Sequence, residues 1–256
     1  MHLKFIVVHW LLLIYSASYS QYGNLPDGHV MEGEILGVKG ELAFNIIVDI
    51  SDELSDLALY HVKGDTGKCW GVFLVAEMDS FKLDNLSIRH MSMAGIWIPL
   101  KKGLGYTQWQ EADHNLAYKI WYSDKEVVKY LQTKGFVNID FFQAKHNWGK
   151  EKKSVELLFD GDQIEVEFQK PVGQLGKTEF NVPGYSILWE SNERHRSHTI
   201  YTFYKHFNQP FQECHFKISS YNSALSKLFK YRIDSAKEPI AGSFQTGWTN
   251  RFRVYK

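Results

Sequence analysis

ELAFNIIVDI, residues 41–50, is the segment that indicates the fold class most directly. Isoleucine, valine and phenylalanine dominate it, and such β-branched and aromatic side chains pack well on a pleated, half-buried surface. The polar residues Ser51, Asp52 and Glu53 follow at once and are typical of a turn. The segment therefore predicts a β-strand that ends at an acidic turn.

The same composition recurs in short runs along the rest of the chain. The runs are residues 57–62, 70–75, 117–122, 136–142, 155–159, 164–168, 199–204, 215–219 and 251–255. Turn residues separate them at intervals of about eight to twelve positions, which is typical of a β-sandwich or barrel. Asp160-Gly161-Asp162 favours a tight hairpin turn between two of these runs.

Helix signals are scarce. Residues 124–133 (DKEVVKYLQT) and 222–231 (NSALSKLFKY) place apolar side chains at helical spacing and predict two short helices. Because a helix does not follow each strand, the sequence disfavours a parallel α/β sheet. We predict an all-β fold, an antiparallel β-sandwich of one or two domains.

The least regular part of the chain is residues 90–110, which contains three glycines. Such a stretch indicates a long loop or a domain boundary. The sequence therefore predicts one sandwich domain, or half of one, over residues 21–110 and a second over residues 111–256.

The first twenty residues have the form of a secretory signal peptide. Lys4 gives a positive start, residues 5–15 are a short apolar run, and Ser18 and Ser20 supply small side chains before a cleavage site. The run is too short to span a hydrocarbon layer of about 30 Å as a helix. We expect cleavage near Ser20, a mature chain from Gln21, and secretion.

Two further expectations follow from an extracellular location. Cys69 and Cys214 are the two cysteines of the chain, and an oxidising compartment permits a disulfide between them, which the sequence leaves open. Asn85-Leu86-Ser87 is a glycosylation sequon and predicts an exposed, modified Asn85.

The overall charge excludes strong electrostatic steering. Lys and Arg together number 29, as do Asp and Glu, so we expect no nucleic-acid partner and no stable membrane insertion. The chain lacks a glycine-rich phosphate loop, a nucleophile elbow and a pair of histidines on a helix face. The sequence therefore predicts no catalytic residue, metal or cofactor.

The strongest candidate site lies in residues 146–153 (HNWGKEKK). A tryptophan before a turn, followed by a carboxylate and several cations, is what a saccharide site requires. The Trp148 ring would stack on a sugar, while Glu151 and Lys152 would form charge-assisted hydrogen bonds to its hydroxyls. His146 and Asn147 would add donors from the same segment. The alternative is that Trp148 packs at the end of a hairpin.

This segment resembles the galectins, whose strands carry tryptophan-glycine, then a glutamate, then an arginine. The hairpin of residues 159–166 is similar to another part of that family. So are residues 34–40, 44–46 and 57–61, which resemble its opening strands, residues 206–211, and residues 215–218 with 229–232, which resemble its closing strand pair. The resemblance implies a galectin-like jelly-roll sandwich, with two degenerate repeats as one explanation of the spacing. Pro210 stands where the family's sugar motif has an arginine, and Lys152 replaces a second arginine.

Together these features predict a secreted, lectin-like protein that binds glycans or glycoproteins without catalysis. Two alternatives stay open: an extracellular interaction module that binds no sugar, and an extracellular glycoside hydrolase. A glycosidase needs two carboxylates about 5–10 Å apart across a cleft, and the sequence assigns none.

Overall fold

The computed structural model describes residues 31–55, 57–101, 113–159, 161–174, 176–178, 183–190, 195–204, 206–247 and 249–255. The predicted signal peptide, the start at Gln21 and the predicted division at residue 110 lie outside these residues. Secretion and the division into two segments therefore stay predictions.

Strands dominate the described residues. They are β1 (Met31–Asp49), β2 (His61–Val62), β3 (Asp65–Leu83), β4 (Leu86–Leu100), β5 (Asp113–Tyr122), β6 (Ile139–Phe141), β7 (Gln143–Trp148), β8 (Lys153–Phe159), β9 (Asp162–Pro171), β10 (Gly176–Thr178), β11 (Pro183–Glu190), β12 (His195–Tyr204), β13 (His206–Ile218), β14 (Gly242–Thr246) and β15 (Thr249–Tyr255). The α-helices are α1 (Lys125–Thr133) and α2 (Ala224–Asp234), and a 3-10 turn spans Asp52–Leu54.

Seven strands close into a ring. β1 pairs antiparallel with β3, β3 with β4, and β4 with β5. β5 then pairs in parallel with β11, β11 pairs with β12, β12 with β15, and β15 returns to β1. We call this ring the barrel. Closure gives every strand of the ring a neighbour on both sides, so the ring has no open edge.

A second run of strands branches from β1. Residues 31–35 of β1 pair with β15, whereas Glu41–Phe44 pair with β14 on the same side of the strand. From β14 the sheet continues through β13, β9 and β8 to β7. We call these five strands the covering arm. They lie over the outer face of the barrel, so β1 belongs to both parts.

Two hydrophobic cores follow from this arrangement. The first lies between the barrel and the covering arm, and its phenylalanines include Phe44, Phe73 and Phe168. The ring of Phe229 from α2 joins it, 4.9 Å from the ring of Phe73. The second core lies on the opposite face of the barrel strands and includes Met31, Ile35, Ala76, Met91 and Val254.

Helix α1 closes one end of the barrel. Val127 and Leu131 on its apolar face pack into the second core. The Asp124 side chain caps the helix, accepting from the backbone N–H groups of Glu126 at 2.8 Å and Val127 at 3.0 Å. The Tyr130 hydroxyl donates at 2.5 Å to Asp84, in the turn between β3 and β4.

The predicted all-β class is confirmed, as are the two short helices and the hairpin turn at Gly161. A purely antiparallel sheet is wrong, because β5 pairs in parallel with both β11 and β6. A jelly-roll sandwich is not confirmed, since a continuous mixed sheet includes the closed barrel. The expected irregular stretch from residue 90 is wrong as far as Leu100, where β4 ends. No helix in the described part of the chain has the length and apolarity to span a membrane.

Candidate functional site

The hairpin of β7 and β8 carries the residues predicted to bind sugar, and the structure divides them between two faces. His146 and Trp148 point toward the first core, whereas Asn147 is exposed on the opposite face. Glu151 is exposed in the turn between the strands. Lys152 forms an ion pair with Glu167 of β9. The five residues therefore do not surround one surface cleft.

The Trp148 ring is held inside the protein. Its Nε1 donates at 2.7 Å to Oε2 of Glu77, on β3 of the barrel. Its centroid lies 5.4 Å from the ring of Phe244 and 4.9 Å from that of His146. A Cβ on Gly40 would lie 2.6 Å from Cε2 of Trp148, so β1 needs glycine beneath the ring. Trp148 therefore joins the covering arm to the barrel.

His146 also joins the covering arm to the barrel, by a contact with β4. Its Nε2 lies 2.8 Å from Oγ of Ser92, and its buried Nδ1 has no hydrogen-bond partner in the described structure. Burial lowers the pKa of His146 to about 4, although the nearby Glu77 carboxylate acts in the opposite direction. The imidazole is therefore neutral at neutral pH.

Lys153 is the buried cation of the same hairpin. Its Nζ donates to the carbonyl of Gly149 and lies 4.5 Å from the centroid of the Phe244 ring. Burial lowers the pKa of this lysine. The hydrogen bond to the Gly149 carbonyl links the two ends of the β7–β8 turn, so Lys153 stabilises this turn.

The remaining predicted residues lie far from this hairpin. Asn85 is exposed in the β3–β4 turn, which fits its predicted glycosylation, and that modification stays a prediction. Cys69 and Cys214 are both buried, and both thiols are free. Burial raises the pKa of Cys69 to about 11 and that of Cys214 well above its ordinary value. Both side chains are therefore neutral at physiological pH.

The most unusual polar residue is Glu41, which was predicted only as part of a strand. It lies opposite Ala76 of β3, on the face that carries the second core, while its neighbour Leu42 belongs to the first core. Its side chain is 7% exposed. Burial raises the pKa of Glu41 to about 8, and no nearby charge opposes this effect. At neutral pH this side chain is mostly a protonated carboxylic acid.

Three further buried polar atoms belong to the same region. Four buried side-chain atoms in the described residues have no hydrogen-bond partner, and one of them is Nδ1 of His146. The other three are Nε1 of Trp97, Oδ1 of Asn138 and Oγ of Ser243. A buried group left unpaired costs about 1–3 kcal/mol, so such atoms are rare in native proteins.

The strand register places these groups around one face. Ser243 lies opposite Ala43, Ala43 opposite Leu74, and Leu74 opposite Gly95, so the four residues form one row across β14, β1, β3 and β4. A Cβ on Gly95 would lie 3.0 Å from Nε1 of Trp97, so the indole N–H lies over this row.

Glu41 belongs to the adjacent row of the same face, two positions along β1 from Ala43. Two strand spacings, about 10 Å, separate its strand from that of Gly95. Asn138 lies beside β5, where its Nδ2 donates at 2.7 Å to the carbonyl of Ala117.

We call Glu41, Trp97, Asn138 and Ser243 the barrel cluster. Ala43, Ala76, Gly95 and Ala117 are small residues on this face of β1, β3, β4 and β5, and the larger Leu74 lies between Ala43 and Gly95. The cluster comprises a carboxylic acid, an indole N–H, a hydroxyl and an amide oxygen. In the described residues, no group of three or more His, Cys, Asp or Glu side chains could hold a metal ion.

Sequence reasoning missed this cluster for a physical reason. Glu41 is the single charged residue of the run ELAFNIIV, which has apolar residues on both faces of the strand. A lone charged residue in such a strand is a sequence signal for a buried charge. Ser243 and Asn138 carry no comparable signal, since serine and asparagine are common in turns. Their importance follows from burial without a partner, which depends on the fold.

Comparison with known proteins gives structural matches only. No family model matches the chain, and no curated protein matches it. An acetoacetate decarboxylase-like enzyme from Sphingomonas wittichii RW1 is similar at 9% identity over 93% of this chain and 98% of that one, with a TM-score of 0.49. Acetoacetate decarboxylase from Legionella pneumophila matches at 10% identity over 96% and 93%, with a TM-score of 0.46. The enduracididine biosynthesis enzyme MppR complexed with pyruvate matches at 9% identity over 94% and 95%, with a TM-score of 0.43.

These findings correct four predictions. The galectin relationship is wrong, because the solved structures that match nearly the whole chain are acetoacetate decarboxylase-like proteins. The lectin function, the absence of catalysis and the glycan partners are wrong on the same finding, since these neighbours are enzymes and MppR is complexed with small molecules. The geometry agrees, because the ring expected to stack on sugar is hydrogen-bonded to Glu77 and packed against Phe244.

Proposed function

We propose that the chain is an enzyme that acts on a small carbonyl compound at the barrel cluster, with Glu41 as its acid. We base this proposal on one observation above all. Glu41 is a buried carboxyl group with a pKa of about 8, on a face where the Trp97 indole and the Ser243 hydroxyl also have no partner. A carboxylic acid kept neutral by an apolar site can donate a hydrogen bond or a proton to a carbonyl oxygen.

The chemistry follows from the protonation state. In its neutral form Glu41 donates to the substrate oxygen, and the carbonyl carbon becomes more electrophilic as electron density moves to that oxygen. The indole N–H of Trp97 is a further donor for the negative charge that develops there. Burial strengthens each of these interactions, because water does not compete for the oxygen. The arrangement supports enolisation of a carbonyl compound: Glu41 transfers its proton to the oxygen, a water molecule accepts the α-proton from carbon, and the reverse transfers restore the ketone and the neutral acid.

The test is hydrogen–deuterium exchange next to a carbonyl. The chain from Gln21 onward is incubated in D₂O at pH 7 with butanone, cyclohexanone or 3-hydroxy-2-butanone, and loss of the α C–H signal is followed by proton NMR. We expect the protein to accelerate exchange of at least one ketone. Glu41→Gln should reduce the acceleration by about 10²–10⁴-fold, the usual contribution of a general acid.

The matched control is Glu151→Gln, which changes a glutamate that is exposed in the β7–β8 turn. This variant should retain the full rate, and circular dichroism should show both variants folded. A folded Glu41→Gln protein with the wild-type exchange rate would refute the role of Glu41. Absence of acceleration by the wild-type protein for all three ketones would refute the proposed activity.

We also propose that the chain is secreted. The support is the sequence of residues 1–20, with Lys4 before an apolar run and small side chains at Ser18 and Ser20. Expression of the whole chain in a eukaryotic secretory cell, followed by N-terminal sequencing of protein from the medium, tests the proposal. A chain in the medium that starts at Gln21 supports it, and uncleaved chain retained in the cytosol refutes it.

A further inference from the structure

Strand β7 ends the covering arm and is attached less firmly than the other strands of the arm. Within the described residues it pairs with β8 alone. Its six residues alternate between exposed and half-buried, so none of them is fully buried, whereas β8, β9, β13 and β14 each carry buried residues. A strand with one neighbour and little buried surface opens more readily than the rest of its sheet.

Two polar contacts attach β7 to the barrel. Nε2 of His146 lies 2.8 Å from Oγ of Ser92, on β4. Nε1 of Trp148 donates at 2.7 Å to Oε2 of Glu77, on β3. Ser92 and Glu77 lie directly opposite each other across β3 and β4, so both contacts meet the barrel wall at one point. We call these four residues the latch.

The ring of His146 fits the latch only in its neutral form. A neutral imidazole carries one N–H, which can lie on Nε2 and donate to Oγ of Ser92. An imidazolium donates from both nitrogens, yet Nδ1 is buried and has no acceptor in the described structure. A buried donor without an acceptor is unfavourable, and more so when it is charged. The attached position of β7 therefore excludes the protonated ring.

The charged groups around the ring do not supply the missing acceptor. Glu77 of β3 raises the pKa of His146, and Lys39 of β1 lowers it. Oε2 of Glu77 already accepts from Trp148, and its Oε1 lies 3.4 Å from Nζ of Lys39, so both oxygens are engaged. The neighbouring β8 adds a further cation, Lys153, opposite Trp148. A protonated ring is therefore accommodated only if β7 moves.

We propose that β7 is an acid-sensitive latch: protonation of His146 releases the strand from the barrel wall and opens the edge of the first core, while β8 and β9 stay in place. In the released strand Nδ1 donates to water. The bond from Trp148 to Glu77 is lost in the same step, because Trp148 lies two positions along the same strand. This inference is independent of the proposed function, since no latch residue belongs to the barrel cluster.

The sign of the pH dependence follows from the two positions of the strand. The pKa of His146 is about 4 when β7 is attached and returns to its ordinary 6.5 when β7 is released. Attachment is therefore strongest above pH 6.5 and weakens about tenfold for each unit that the pH falls below it. Between pH 6.5 and pH 4.5 the equilibrium constant for opening of β7 should rise about 100-fold.

The test is amide hydrogen–deuterium exchange, followed by NMR at pH 6.5, 5.5 and 4.5. After correction for intrinsic exchange rates, the protection factors of β7 should fall about 100-fold over this range. Amides that pair β9 with β13 should keep theirs. His146→Gln cannot take up a proton and should remove the pH dependence of β7. The matched control is His215→Gln, which changes an exposed histidine of β13 and should leave that dependence intact.

Each outcome supports or overturns the latch. A loss of protection that is confined to β7 and absent in His146→Gln supports it. Constant protection of β7 in the wild type overturns it, as does a parallel loss in β7 and β9, which would mean global unfolding. A pH dependence that persists in folded His146→Gln overturns the role of His146. If that variant does not fold, the comparison of β7 with β9 in the wild type decides alone.

Discussion

At the scale of single residues, the protein depends on polar side chains placed where most of their neighbours are apolar. Glu41 and Trp148 lie on opposite faces of the barrel wall. Trp148 is paired with a carboxylate, so its polar atom is satisfied and the residue serves packing. Glu41 has no such partner, so its burial changes its protonation instead.

Glu41→Gln should change how the stability of the protein depends on pH. The pKa of Glu41 is about 8 in the folded protein against an ordinary value of 4.5, so the folded state binds more protons between these values. Its stabilising effect is complete below about pH 4.5 and is lost as the pH rises through 8. Each pH unit in this window is worth about 1.4 kcal/mol. Urea unfolding from pH 6.5 to pH 9 should show a decline in the wild type that is largely absent in Glu41→Gln.

Trp148 should prove to be a packing residue. Trp148→Ala removes a ring between His146 and Phe244 and should lower the free energy of unfolding by about 3–5 kcal/mol. Trp148→Phe keeps a ring but loses the bond to Glu77, and should cost about 1.5–3 kcal/mol. Asn147→Ala, on the exposed face of the same strand, should stay within about 0.5 kcal/mol of the wild type. Equal stabilities of all four proteins in chemical denaturation would contradict this role.

The sequence predicted that Trp148 stacks on a sugar, whereas in the structure it packs inside the protein and bonds to Glu77. A tryptophan before a charged turn fits a sugar platform, but it fits an anchored hairpin equally well. The difference depends on Glu77, which is 71 positions away in the sequence. A partner at that distance is invisible to any local pattern, and so are the unpaired atoms of Asn138 and Ser243.

At the scale of elements, sequence patterns predicted correctly the structures that depend on residues close together in the chain. Helix α1 could be predicted because its cap at Asp124 and its apolar spacing lie within ten residues of sequence. The predicted strand at residues 57–62 was less successful, since only His61–Val62 form a strand there. Parallel pairing of β5 with β11 could not be predicted, because it joins segments about seventy residues apart.

Removal of the α1 cap should loosen one end of the barrel. Asp124 accepts from the N–H groups of Glu126 and Val127, and Asp124→Ala leaves both without a partner. The expected loss of unfolding free energy is about 0.5–2 kcal/mol, while Asp124→Asn should lose less, because asparagine also caps helices. Lys129→Ala, on the exposed face of α1, is the control and should change little. Thermal unfolding measures all three, and an unchanged Asp124→Ala would show that α1 does not contribute to global stability.

At the scale of the whole molecule, two buried groups on opposite sides of the barrel wall set opposing pH dependences. His146 has a pKa of about 4 in the folded protein against an ordinary 6.5, so its contribution to stability is lost as the pH falls through this window. The contribution of Glu41 is lost as the pH rises from 4.5 to about 8. Between pH 4.5 and 6.5 the two slopes cancel, because each is about 1.4 kcal/mol per pH unit.

We therefore expect a stability plateau between about pH 4.5 and 6.5, with decline on both sides. His146→Phe should replace the plateau by stability that keeps increasing toward pH 4.5. In Glu41→Gln the decline above pH 6.5 should become shallow. Denaturant midpoints at half-unit pH intervals measure all three curves. A wild-type maximum above pH 8 would contradict the assignment of these two groups.

The shared strand β1 has a consequence for the way the protein is made. Thr246 bonds to the carbonyl of Val38 across 208 positions of sequence, and β15 must pair with both β1 and β12 before the ring is complete. At a synthesis rate of about 5–20 residues per second, β1 waits about 10–40 s for these partners after it is made. During that interval β1 has β3 on one side but lacks β14 and β15 on the other, so we expect this open edge to need protection until residues 249–255 have been translated.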